Sequence, residues 1–169
     1  MGYTVLNINI PVVAEMDLEI ASRLLDAASC ITVVRQKRTT ERGYTYRLSM
    51  LVRRWDEIEL KEMVRALGVD GHIAPIKTRG VPYFQLVWQG KSAVEVLDRA
   101  KPWLNTRARE AELVIKFWHE GDFAQLKRGP VSEEIWGKRD AIYAEIRALK
   151  AELAGRDRLV SSHRDLTHI

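Results

Sequence analysis

Apolar residues recur at helical spacing early in the chain, at Met16, Ile20 and Leu24, and a β-branched run follows soon afterwards. Apolar side chains three or four residues apart share one face of an α-helix, whereas β-branched runs are typical of strands. The pattern therefore predicts a helix over residues 16–28 and a strand over residues 31–37.

Two hairpins are predicted along the next part of the chain. The strand at 31–37 is followed, across a polar and basic loop, by a strand at 44–53, and a second pair is predicted at 69–77 and 82–89. Alternation is clearest at 44–53, where one side should pack and the other should meet water or a ligand. The first side holds Tyr44, Tyr46, Leu48, Met50 and Val52, and the second holds Thr45, Arg47, Ser49, Leu51 and Arg53.

Helices are predicted after each hairpin and again towards the C-terminus. Asp56 can cap the start of a helix that Gly68 would end, and a third helix follows the second hairpin. Two more are predicted over residues 107–118 and 132–154, with Gly155 ending the last one. The order β-β-α thus occurs twice.

The length and composition favour one compact domain. A chain of 169 residues that is 46% hydrophobic can bury one core. We expect this domain at 16–154, with an N-terminal arm or extra strand at 1–15 and a polar, flexible tail at 155–169. No uncharged apolar run reaches about 18 residues and the N-terminus lacks a signal-peptide layout, which predicts a cytoplasmic protein with no membrane span. The single cysteine, Cys30, is predicted to be a buried structural thiol.

Charge is distributed unevenly along the chain. The net charge is +4 and the pI is near 9.3, which suits an anionic partner but also many other proteins. The predicted strands and their tips collect arginine and lysine, whereas the predicted helices collect aspartate and glutamate. This separation predicts a basic sheet over an acidic or neutral helical layer.

A family resemblance is carried by the first helix and by the downstream half. The stretch Ala21-Ser-Arg-Leu-Leu-Asp-Ala-Ala-Ser29 resembles a degenerate motif of the LAGLIDADG homing endonucleases. Leu24, Leu25, Asp26 and Ala27 fit that motif, whereas Ser22, Arg23, Ala28 and Ser29 depart from it. The stretches Tyr83-Phe-Gln-Leu-Val-Trp88, Pro102-Trp-Leu104 and Arg107-Ala-Arg-Glu-Ala-Glu-Leu113 resemble the family more closely. Element order and spacing agree over residues 16–118, and the alternative is an unrelated α+β domain.

The resemblance implies an α+β fold of the type αββαββα, with a saddle-shaped antiparallel sheet over duplex DNA and an additional C-terminal helix. A major groove admits a two-stranded β-ribbon, from which alternate side chains reach bases and phosphates. The side chains predicted to face DNA are Arg35, Lys37, Arg47, Ser49, Arg53, Lys77, Arg79 and Gln85.

One motif in the chain implies a homodimer on a pseudo-palindromic site, with the motif helices in contact. The residues expected at that interface are Ala21, Ser22, Leu25 and Asp26. Arg23 replaces the motif's first glycine, which would loosen the interface or shift it.

In active relatives the second acid of the motif holds magnesium at the scissile phosphates. Ala28 stands at that position and has no side-chain oxygen, while Asp26 matches the first, mainly structural acid and Arg107 matches the basic residue that supports the site. We therefore expect a sequence-specific DNA-binding protein with lost or impaired cleavage and no cofactor. An active or engineered-inactive magnesium-dependent endonuclease, an RNA-binding splicing helper and an interaction module that binds no nucleic acid remain as alternatives.

Overall fold

The computed structural model describes residues 15–39, 42–78, 80–123 and 129–165, with side chains described only as far as residue 155 in the last helix. The arm or strand predicted at 1–15 lies almost entirely outside the described residues. Arg79, which was predicted to face DNA, also lies outside the described residues.

The described residues form five α-helices and one four-stranded sheet. The helices are α1 (Leu18–Ala28), α2 (Glu57–Leu67), α3 (Lys91–Ala100), α4 (Ala108–Glu120) and α5 (Glu133–Asp165), with a short 3₁₀ helix at Lys101–Trp103. The strands are β1 (Ser29–Lys37), β2 (Tyr44–Arg54), β3 (His72–Thr78) and β4 (Val81–Gln89). Two β-β-α units therefore follow α1, as the sequence predicted.

The sheet is antiparallel in the order β1-β2-β4-β3, so β2 and β4 are its central strands. One face of the sheet packs against the helices. Tyr46, Leu48, Met50 and Val52 of β2 are buried on this helix face. Both the predicted alternation of β2 and its inward side are confirmed.

Capping side chains begin α1 and α2, and a glycine ends α2. The Asp17 carboxylate accepts a hydrogen bond from the backbone N–H of Ile20 at 2.8 Å, and Asp56 accepts one from Ile58 at 2.8 Å. Gly68 ends α2 with a φ of 63°, a left-handed conformation that costs glycine nothing in side-chain clashes. The predicted start and end of α2 are confirmed.

The last helix is longer than the sequence predicted. It begins after Ser132, whose hydroxyl accepts from the backbone N–H of Ile135 at 3.3 Å, and it continues through Gly155 to Asp165. Gly155 was wrongly expected to end it. A glycine inside a helix costs only about 1 kcal/mol, which neighbouring turns can offset.

Two contacts fasten α5 to the helix face of the first hairpin. The Lys150 ammonium donates to the carbonyl oxygen of Ile31, near the start of β1. The Asp140 carboxylate accepts from the hydroxyls of Tyr44 and Tyr46 on β2. Because α5 also packs against α4, it joins the helical layer to the first hairpin.

Cys30 is exposed, not buried. In β1 the buried positions are Ser29, Ile31 and Val33, and Cys30 alternates with them onto the opposite face. Among the described residues, no helix is long and apolar enough to cross a membrane.

Candidate nucleic-acid interface

None of the residues that the structure describes covers the face of the sheet turned away from the helices. The register places Thr32 beside Ser49 and Val34 beside Arg47, and it places Leu51 beside Val87 on the next strand. No side chain described on this open face of β1, β2, β3 or β4 is buried. The open face is therefore a continuous, accessible surface across all four strands.

The strands that form this surface carry cations and no carboxylates. Their sequences contain neither aspartate nor glutamate. Their basic residues are Arg35, Lys37, Arg47, Arg53, Arg54 and Lys77. Alternation places Arg47 and Arg53 on the open face and the other four on the helix face. A polyanion approaching the sheet meets no negative charge from the strands. This agrees with the predicted separation of charge.

Three of the side chains predicted to face DNA lie on the helix face instead. Arg35 pairs in register with Tyr46 and Lys37 with Tyr44, while Lys77 pairs with Pro82, which alternates with the buried Leu86. The predicted facing of these three cations was wrong, because alternation places them on the face of the sheet opposite to that of Arg47 and Arg53.

Arg35 is held within the protein by two tyrosine side chains and a carboxylate. Its guanidinium lies 4.4 Å from the centre of the Tyr44 ring and donates to the Tyr46 hydroxyl at 3.0 Å. The Asp140 carboxylate is 3.4 Å away. Burial and the hydrogen bond to Asp140 raise the pKa of Tyr46 well above its usual range. This cluster fixes the first hairpin to α5.

The other described side chains that were predicted to face DNA do lie on the open face. Arg47, Ser49 and Arg53 alternate along β2, and Gln85 lies opposite Arg53. The Arg53 Nε donates to the Gln85 side-chain oxygen at 3.2 Å, so the two neighbours form one polar unit. Arginine and glutamine both hydrogen-bond base edges, and arginine also pairs with phosphate.

Three of the four residues predicted at the dimer interface face inward, and the fourth, Asp26, is partly exposed. Ala21, Ser22 and Leu25 are fully buried within the single chain, and the Ser22 hydroxyl donates to the Leu18 carbonyl at 2.6 Å. They cannot form a contact surface without opening the core, so this assignment is corrected. The outer face of α1 instead exposes Ile20, 43% of which is accessible, with Arg23 and Ala27.

Asp26 holds the start of α4. Its carboxylate accepts from the backbone N–H groups of Asn105 and Arg107, both at 2.9 Å, and from Thr106 at 3.1 Å. These N–H groups lie at the positive end of the α4 dipole, where backbone donors have no partner within the helix itself. Burial acts to raise the pKa of Asp26, but the backbone hydrogen bonds outweigh it and lower the pKa. The structural role that the resemblance implied for Asp26 matches this geometry.

Replacing Asp26 by asparagine is expected to lower stability at neutral pH by about 1 kcal/mol, because the amide loses the negative charge at the start of α4 and keeps only one acceptor oxygen for three N–H groups. Because the pKa is lower in the folded state, the stabilisation is full above the unfolded pKa of about 4 and disappears as the pH falls through the folded value. Urea unfolding of both proteins at pH 7 and pH 3 measures this. A difference that stays constant or grows on acidification would contradict the assignment.

Ala28 ends α1 beside this junction, and the donors around it do not suit a magnesium ion. The Asp26 oxygens are already bonded to backbone amides. Among the residues that the structure describes, no three histidine, cysteine, aspartate or glutamate side chains come together as metal ligands. Magnesium prefers oxygen donors, and the oxygens of Asp26 are already engaged. The side chains around Ala28 therefore do not fit this ion.

Arg107 is bound to a buried carboxylate. Its Nη1 donates to Glu110 at 3.0 Å, and the other Glu110 oxygen lies 3.0 Å from the Lys150 ammonium. Glu110 is only 3% exposed. This ionic cluster, Arg107 with Glu110 and Lys150, ties α4 to α5 and, through the Ile31 carbonyl, to β1.

Sequence reasoning missed Glu110 and Lys150 as members of this cluster. Glu110 lies three residues after Arg107, a spacing at which helical side chains meet, so one half was detectable. Lys150 comes from a different helix, and no sequence signal indicated its place.

No protein-family model matches the chain. No curated protein matches it either. In structure it is similar to the homing endonuclease I-TnaI, with a TM-score of 0.61 and 14% identity over 83% of this chain and 98% of that chain. The homing endonuclease I-CvuI, solved with a DNA target and 2 mM magnesium and with the DNA not cleaved, gives a TM-score of 0.54 and 17% identity over 74% and 93%.

A third similar structure is the LAGLIDADG homing endonuclease I-GzeII in complex with its DNA target, with a TM-score of 0.57 and 14% identity over 78% of this chain and 42% of that chain. At identities this low, the TM-scores establish a shared architecture and no more. The predicted fold class is confirmed: the chain has the α+β fold of the LAGLIDADG homing endonucleases.

Proposed function

We propose that the chain is a sequence-specific binding protein for double-stranded DNA that has lost most or all of its ability to cleave. The observation that carries this proposal is the open face, a sheet surface that no described residue covers, where the charged strand side chains are Arg47 and Arg53 and the strands contain no carboxylate. The DNA complexes of I-CvuI and I-GzeII support it, because proteins of this fold bind DNA targets.

The open face offers both kinds of contact that recognition needs. Arg47 and Arg53 can neutralise phosphates or pair with guanine, and Ser49, Gln85 and Gln89 can hydrogen-bond base edges. Half-exposed Val34, Leu51 and Val87 add apolar surface for thymine methyl groups. The mixture suits reading a sequence in addition to holding a backbone.

The proposed assembly is a homodimer on a pseudo-palindromic site. The chain covers 98% of I-TnaI but only 42% of I-GzeII, so one copy corresponds to less than half of the latter. The accessible Ile20 on the outer face of α1 supplies an apolar contact for a second copy. A two-fold dimer would place two copies of the open face along one duplex.

Loss of cleavage is proposed from the side chains at the end of α1. Ala28 supplies no ligand, and the two Asp26 oxygens and the Arg107 guanidinium are engaged within the protein.

The test compares two adjacent arginines on opposite faces of β2. Arg53→Ala is expected to weaken binding to a duplex selected from a randomised pool by about 1–3 kcal/mol if Arg53 reads a base, and by less if it contacts only phosphate. Arg54→Ala should leave affinity unchanged, because the Arg54 Nε donates to Glu59 at 2.8 Å on the helix side. Fluorescence anisotropy titrations at several salt concentrations measure both effects, since released counterions make phosphate binding salt-dependent.

The same complexes give the stoichiometry. Light scattering on a palindromic form of the selected duplex is expected to show two protein chains for each duplex. Equal losses for the two arginine variants, or affinity that does not respond to salt, would contradict the assigned face. One chain per duplex would contradict the dimer.

A further inference from the structure

An exposed aromatic pair lies at one end of the open face. Trp55 follows β2 directly, and continuing the strand register by one residue places it opposite Tyr83 of β4, on the side of Arg53 and Gln85. The two ring centres are 4.2 Å apart, with an angle of 39° between the ring planes. The pair therefore belongs to the surface proposed to bind nucleic acid.

Trp55 remains accessible in spite of this contact. It is 65% exposed, and the only other large apolar side chains exposed in the described part of the chain are Ile20 and Ile58. A tryptophan covered on both ring faces could not expose so much area. One flank of the indole rests on Tyr83 and much of the remaining ring surface is open.

The polar surroundings favour an anionic ligand that carries a flat ring. Arg53 is exposed on the same face, with its Nε on Gln85. The acidic residues that follow Trp55 are already engaged: Asp56 caps Ile58, Glu57 pairs with Lys61 at 3.0 Å, and Glu59 pairs with Arg54. Repulsion of a phosphate beside the ring is reduced by these pairings.

The size of the patch also limits its occupant. A stable protein interface buries about 1,200–2,000 Å² in total, whereas this patch offers one open ring, with the exposed Ile58 three residues further along the chain. A nucleobase matches a ring of this size, and aromatic side chains next to arginine are the usual stacking sites for unpaired bases. Bases inside an intact duplex are stacked on each other and present only their edges.

We propose that Trp55 and Tyr83 form a stacking subsite for an unpaired nucleobase, so that the protein prefers a strand with one unstacked base to a fully paired duplex. This proposal rests on the proposed function, because it places the strand on the open face. It adds a ligand class, a base lifted out of the helix, that the paired DNA target does not supply.

The experiment uses three forms of one duplex: fully paired, with a single unpaired adenine, and with an abasic residue in place of that adenine. The unpaired position is moved stepwise along the duplex. At one position the full-length protein is expected to bind the unpaired adenine about tenfold more tightly than the paired form, as stacking on one aromatic ring allows. The abasic form should lose this gain because it keeps the backbone and lacks the ring.

Trp55→Ala is expected to remove the preference by weakening the binding of the unpaired form more than that of the paired form, and Trp55→Phe should keep part of the preference. Ile58→Ala is the matched control, because it removes a neighbouring exposed side chain that has no ring, and the preference should remain. Circular dichroism establishes that each variant is folded.

Three results would overturn the subsite alone: binding without any preference, a preference that survives Trp55→Ala, or a loss that is equal for paired and unpaired DNA. A change of oligomeric mass in Trp55→Ala without DNA would assign the ring to a second copy of the chain and would also overturn it. Absence of binding to every duplex would overturn the proposed function and the subsite together.

Discussion

Incubation of the protein with its selected duplex and magnesium is expected to leave the DNA uncut. Losing a ligand that places the metal at the phosphate removes several kcal/mol of transition-state stabilisation, and on the order of 3 kcal/mol already corresponds to about a hundredfold in rate. Ala28 cannot supply the missing oxygen, and Asp26 is held by the amides that begin α4. Gel analysis of an end-labelled duplex over a long incubation, in magnesium and in manganese, measures the rate.

Restoring the acid separates two histories of the site. If Ala28→Asp gains cleavage, the acid alone was missing, which favours a recent or engineered loss. If it does not, decay extends to Arg23, Ser29 and Arg107, and the bond from Arg107 to Glu110 gives a physical reason. Tight binding of the same duplex is the control that a lack of cutting reflects chemistry. Rapid cutting by the unaltered protein would show that the site has been wrongly assigned.

Glu110→Gln is expected to destabilise the protein by about 3 kcal/mol. Removing one member of a buried ionic group leaves its partners without compensation, which costs more than the group contributed when complete. Arg107 and Lys150 would keep their charges with no carboxylate between them. In a domain of this size the loss corresponds to a fall in Tm of roughly 10 °C, measured by thermal unfolding followed by circular dichroism.

Glu112→Gln on the same helix is the matched control. Glu112 lies 3.9 Å from Lys101 with 60% of its side chain exposed, and such surface pairs contribute about 0–1 kcal/mol. The double variant Glu110→Leu with Lys150→Met should recover part of the loss, because it removes the unpaired lysine as well. A Glu110→Gln variant that unfolds at the unaltered temperature would show that the cluster does not stabilise the link between α4, α5 and β1.

Elements with strong local signals were predictable from the sequence. In β2, polar and apolar side chains alternate over residues 44–53 except at Leu51, so the face that carries Arg47 and Arg53 could be identified. Asp56 and Gly68 bounded α2 because a cap and a left-handed glycine act within a few residues. The order of the elements and the fold class followed from these signals together with the family resemblance.

The sequence alone could not show which side chains of β1 point towards the helices. Residues 30–34 are nearly all apolar, so no alternation indicates which side chains point inward. Pairing with β2 decided it, and that pairing placed Arg35 beside Tyr46 and left Cys30 exposed. A shift of one residue moves a whole strand's side chains to the other face, which is why all these assignments failed together.

The sequence by itself determined the helices, the two hairpins, the basic character of the strands and the absence of an acid at Ala28. Tertiary structure decided which face each cation occupies, that Ala21 and Leu25 pack inward, and that Lys150 meets Glu110. The physical reason is range: capping, alternation and turn formation act between near neighbours, whereas burial and ion pairing depend on segments that only the complete fold brings together.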